Sequence, residues 1–128
     1  KLVIAEKPSV ANSIADVLGA DKDRTDTEVE MDNRLMVVGH LIELAEPASY
    51  GEKYEKWNYE SLPVLPNPFS YVVKKDTAKQ YGVLKKLMAD KELSSLVCAT
   101  HAGREGELIF RLVYNQACCK KPYERLWN

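Results

Sequence analysis

No run of apolar residues in this chain exceeds a few positions, so nothing in it supplies the roughly 20 residues that a membrane-crossing helix needs. The amino terminus offers no apolar signal region either, since Lys1 and four apolar residues lead straight into Glu6-Lys7. Cysteine is scarce. Cys98 lies in an apolar run, Cys118 and Cys119 are adjacent, and no CxxC spacing occurs. Adjacent cysteines are poor disulfide partners, so a reduced, cytoplasmic setting is expected. An excess of either charge is lacking as well: 18 basic residues face 19 acidic ones, for a net charge of −1. A module that gripped nucleic acid unaided would carry a basic surplus, because phosphate contacts supply most of the affinity. Any DNA contact must therefore be a small local site, with other domains supplying the grip. Repeats, linkers and low-complexity tracts are absent.

What is present suits one domain of 128 residues with its own core. Leu2-Val3-Ile4-Ala5 reads as a buried strand. Pro8 to Leu18 reads as a helix with an apolar face of Val10, Ile14, Val17 and Leu18, Ser9 as its cap and Gly19 as its stop. Thr27–Met31 and Arg34–Val38 flank Asp32-Asn33, a tight-turn pair that predicts a β-hairpin. From Glu46 to Asn67, with Pro68 just beyond, the chain is rich in proline, tyrosine and lysine, irregular, and longer than an ordinary connection. Its aromatics Tyr50, Tyr54, Trp57 and Tyr59, with Lys53 and Lys56, could stack on bases, but a docking surface for a neighbouring domain is the favoured reading. Phe69–Val73 reads as a strand, Asp76-Thr77 as the start of a helix running to about Asp90, Leu93–Ala99 as a strand, Gly103–Cys119 as a helix, and Tyr123 onward as a further strand. Strands alternating with helices predict an α/β fold with a mainly parallel sheet and helices on both faces.

Two segments share one layout: apolar strand, charged turn, helix. The first is Ile4-Ala5-Glu6-Lys7-Pro8-Ser9-Val10-Ala11. The second is Ala99-Thr100-His101-Ala102-Gly103-Arg104-Glu105-Gly106-Glu107-Leu108-Ile109. Turns of this kind sit at the carboxyl ends of strands, where open α/β sheets bind ligands. Glu6, in a partly dehydrated cleft, could serve as a general acid or ligate a divalent cation. Lys7 is a point cation suited to a phosphate. Glu105 and Glu107 could simply complement a helix dipole, but Gly103 and Gly106 in the same turn indicate a sharp bend or a close approach. His40, in Gly39-His40-Leu41, is a minor candidate, since a lone histidine after a strand is usually structural.

Taken together, these segments resemble the two halves of a Toprim domain, and more narrowly that of the type IA DNA topoisomerases, closest to the bacterial topoisomerase III branch. Gly39-His40-Leu41-Ile42-Glu43-Leu44, the stretch from Lys56-Trp57 to Leu65-Pro66, and Arg125-Leu126-Trp127 fit the same branch, so the resemblance covers nearly the whole chain. It implies a Toprim-type fold over 1–128 with an inserted β-hairpin and loop region. It also implies that the chain is part of a longer enzyme whose nucleophilic tyrosine lies downstream. The activity implied is ATP-independent breakage, passage and rejoining of single-stranded DNA through a 5′-phosphotyrosine, with no nucleotide cofactor and no membrane.

By the same resemblance Glu6, Lys7 and Arg104 are catalytic, Lys7 and Arg104 contact DNA, and Glu6 with Glu105 holds Mg²⁺. Glu107 flanks the site. The chain departs from the family's Asp-x-Asp-x-Glu signature, since His101 and Gly103 stand where its aspartates would be. Imidazole is a poor ligand for a hard cation, so His101 could donate a proton, bind a softer metal, or mark a weakened site. The rival readings are a free-standing Toprim nuclease or primase-like phosphotransferase, and a catalytically lapsed DNA- or partner-binding module. The isolated chain is expected to be inactive.

Overall fold

The computed structural model describes residues 1–19 and 34–127. Four strands form one parallel sheet in the order β2-β1-β5-β6: β1 is Leu2–Ala5, β2 Arg34–Val37, β5 Leu96–Ala99 and β6 Tyr123–Arg125. In the centre β1 and β5 run side by side, with Leu2 opposite Leu96 and Ala5 opposite Ala99. Both are apolar along their whole length because both faces of the sheet are covered there, as parallel sheets require. The period of two sorts their side chains. Leu2, Ile4, Leu96 and Cys98 share a core with Leu84 and Met88 of α2 (Ala78–Ala89) and Ile109, Phe110 and Val113 of α3 (Arg104–Gln116). Val3, Ala5 and Ala99 share a smaller one with Ala11 and Ala15 of α1 (Pro8–Leu18) and with Leu35. Helices thus lie on both faces, as the sequence predicts.

Arg34–Val37 is a strand, as expected, and pairs in parallel with β1; the rest of the expected hairpin, Thr27–Met31 and the Asp32-Asn33 turn, lies outside the described residues. Expectations for α1 need correcting. Ser9 does not cap it. Lys7 holds the N-cap position in extended backbone with Pro8 at the first helical position, where its missing N–H is harmless. Gly19 does stop the helix, in the left-handed region at φ 65° that favours glycine. The face α1 turns to the sheet is Ala11 and Ala15, with the expected Ile14 packed partly against the same core. Val17 is 86% exposed and Leu18 half exposed, because only small residues allow the helix to approach closely.

Between β2 and α2 the chain leaves the sheet. Strands β3 (Ile42–Leu44) and β4 (Tyr71–Val73) pair antiparallel, a pairing the sequence reading did not foresee, with a 45–70 arm between them. The arm consists of short 3₁₀ turns tied at its base by Ser70 N–H donating to the Tyr50 hydroxyl at 2.8 Å and by Ala45 N–H donating to Ser70 O at 2.9 Å. Trp57 and Tyr59 on it are 81% and 94% exposed.

Candidate active site

Glu6 and Lys7 emerge where β1 ends, and Thr100 and His101 where the neighbouring β5 ends. The two turns meet: His101 N–H donates to Glu6 Oε2 at 3.2 Å. This contact, between residues 95 positions apart, is the convergence that the matched layouts predict. Glu6 is half-buried, while Lys7 and Arg104 are exposed at the mouth of the site.

The turn after β5 is built around its glycines. Gly103 is the N-cap of α3 in extended backbone, and its N–H donates to His101 Nδ1 at 3.1 Å. The Nδ1 atom of histidine occupies the place, relative to its Cβ, that an oxygen of aspartate would occupy. His101 therefore makes the same two-residue turn bond that an aspartate makes, with Nδ1 necessarily unprotonated. The imidazole also lies over Gly103, where an added Cβ would come within 2.9 Å of Nδ1. Gly106 is tighter. A Cβ there would lie 2.0 Å from the His101 carbonyl oxygen, so only glycine fits. The close approach that these glycines predict is thus to the chain itself.

His40, the minor candidate, is brought into the site: its Nε2 lies 2.8 Å from Glu105 Oε1. Both side chains are more than half exposed, so the pair orients the carboxylate and contributes little stability. Glu107 turns elsewhere, 2.8 Å from Arg111 Nε and 3.5 Å from Arg125 Nη1. Sequence reading missed Thr100 and Arg125 as site residues. Thr100, fully buried, donates to Gly106 O at 2.8 Å. The signal for Arg125 was its place in an Arg-Leu-Trp motif, which says nothing of where a guanidinium points.

An apolar groove of about 620 Å³ runs from Glu6, Lys7 and His101 along Val10 and Ile14 of α1 to Leu126. Low-dielectric walls beside charged groups strengthen their action on a ligand phosphate. Among the described residues no group of three or more His, Cys, Asp or Glu side chains is placed to hold a metal ion. Glu6 and Glu105 are the carboxylates available to Mg²⁺, and each is already bonded, to the His101 amide and to His40. Among the described residues, side chains alone therefore do not form a cage for a hard cation.

Comparison with known proteins agrees with this geometry. Residues 1–127 match the Toprim domain family. DNA topoisomerase 3 of Bacillus anthracis is 44% identical over 98% of this chain and 17% of its own length. That of Bacillus subtilis (strain 168) is 41% identical over 98% of this chain and 18% of its own length. The chain thus spans less than a fifth of the curated relatives it matches. Sheet order, paired turns and sequence match agree, and the chain belongs to the Toprim domain family.

Proposed function

We propose that this chain is the Toprim part of a type IA, topoisomerase III-like enzyme and supplies the acidic half of its active site. The observation that carries the reading is the bond from His101 N–H to Glu6 Oε2, which fixes a carboxylate at the junction of two strand ends with Lys7 beside it. Similarity to enzymes named DNA topoisomerase 3 supports it and favours neither rival reading. A tyrosine from a segment outside this chain attacks a single-stranded phosphodiester. Glu6 protonates the departing 3′ oxygen as the P–O bond breaks and takes the proton back on rejoining. With Oε2 turned to the His101 amide, that proton is carried on Oε1. Lys7 and Arg104 stabilise charge on the phosphate. Energy stored in the phosphotyrosine makes rejoining possible without ATP. The setting is cytoplasmic, the partners are single-stranded DNA and the other domains of the same protein, and Mg²⁺ would be held by Glu6 and Glu105 with help from the substrate phosphate.

The test is relaxation of negatively supercoiled plasmid by the protein that includes its downstream residues. Glu6→Gln keeps the shape but cannot carry the proton, so relaxation should fall about 100-fold or more, with DNA binding held within about twofold. Relaxation that survives the substitution would show that Glu6 is not the acid.

A further inference from the structure

We infer that Arg125 is the positioning residue of this site, a guanidinium delivered by the last strand that locks the turn facing Glu6. Its side chain is 17% exposed and its fork spans the whole turn. Nη1 donates to Cys98 Sγ and, at 2.9 Å, to Thr100 Oγ1; Nη2 donates to His101 O at 2.6 Å. Thr100 passes the constraint on by donating to Gly106 O, which fixes the first turn of α3 against the same carbonyl that Arg125 holds. His101 is thereby held from both sides of one residue: its carbonyl by Arg125, its N–H on Glu6. Glu107, 3.5 Å away, balances the charge. Arg125 touches the turn rather than the position of a substrate, so its effect is on where the Glu6 carboxylate sits. A lysine could neutralise Glu107 but could not reach these acceptors at once, because it lacks the planar fork.

The alternative is that Arg125 merely fastens β6 to the sheet. The backbone already does that, through Leu96 N–H to Pro122 O and Leu126 N–H to Cys98 O, both at 3.0 Å. Arg125→Lys should therefore fold, and it is the better variant than Arg125→Ala, which strips the buried Thr100 hydroxyl of a partner. Amide hydrogen exchange by NMR on this chain decides between the two. In Arg125→Lys the His101 and Gly103 amides should exchange about tenfold faster or more, with the core amides of Leu84 and Phe110 within about twofold of the parent. A second readout uses Glu6→Gln, which should move the His101 amide resonance in the parent and leave it unmoved in the Arg125→Lys background. Equal acceleration of all four amides, no acceleration, or an equal response to Glu6→Gln in both backgrounds would overturn the inference. It rests on the reading of Glu6 as the acid, but it is measured without DNA. Failure of that reading shows in the relaxation assay, and failure of the clamp shows in exchange.

Discussion

At Gly106 the structure leaves no room for a side chain, and the obstacle is backbone. Gly106→Ala would drive its Cβ into the His101 carbonyl, so either α3 or the turn must move. The expected cost is about 3 kcal/mol, the upper range for overpacking, seen as a fall in melting temperature of roughly 10 °C; an unchanged melt would mean that the turn is soft. His101 invites the opposite experiment. His101→Asp keeps an acceptor for the Gly103 amide and adds a hard oxygen near Glu105 and Glu6. Mg²⁺ affinity should rise about tenfold, or about 1.4 kcal/mol. Crowded carboxylates should also lower stability in metal-free buffer and restore it when Mg²⁺ is added. Calorimetric titration with paired melts checks both, and equal Mg²⁺ affinity in the parent would remove His101 as a missing ligand. At this scale the place of Glu6 and Lys7 at the end of a strand was legible, because it is written locally. The His40–Glu105 pair was not, since its partners lie 65 residues apart and neither carries a local signal for the other.

Elements were legible where a period spans them. The positions of α1, α2, β5 and α3 follow from spacing to within a few residues, but spacing does not say which partner an element finds. Arg34–Val37 reads as a strand beside a turn pair, and that pattern does not announce its parallel pairing with β1. Of the larger apolar residues that read as the buried face of α1, Ile14 packs partly against the core, whereas Val17 is left exposed and the close contact is made by Ala11 and Ala15. On the other side of the sheet, two tyrosines give α2 and α3 a measurable pH response. Burial, followed by the nearby Cys118, raises the Tyr81 hydroxyl above the ordinary tyrosine range. Burial, then Cys119 and Tyr123, does the same for Tyr114, against an opposing effect of Arg111. A raised folded pKa means that the native state holds its protons longer than the unfolded chain. Stability is therefore intact below about pH 10, the unfolded tyrosine value, and is lost as pH rises through the folded values. Urea titrations at pH 9, 10 and 11 should show a progressive fall, shallower in Tyr81→Phe and in Tyr114→Phe. A flat profile would mean that neither hydroxyl is held neutral by the fold.

For the whole molecule, near-zero net charge sets the expectation for DNA. With a net charge of −1 and a proposed nucleophile outside this chain, the isolated chain should leave supercoiled plasmid unrelaxed in Mg²⁺. It should also bind single-stranded oligonucleotide only weakly and with a shallow salt dependence. Relaxation by the chain alone would place a nucleophile within it, and nicking without rejoining would favour a nuclease. The α/β class and the convergence of two strand ends could be read in advance because both follow from repeated local layouts. The clamp by Arg125 could not, because it depends on β6 lying beside β5, a pairing that a three-residue strand does not announce.

The bond between Glu6 and His101 also has a kinetic meaning. It unites the first strand with the third strand of the sheet in sequence across 95 positions, and the clamp that steadies it arrives later still, on Arg125. Contacts of such separation form late, after the loss of loop-closure entropy has been met by the rest of the core. During synthesis Glu6 and Lys7 leave the ribosome long before their counterparts exist. On the proposed reading, the Glu6 carboxylate takes its final place beside His101 once β6 has docked against β5.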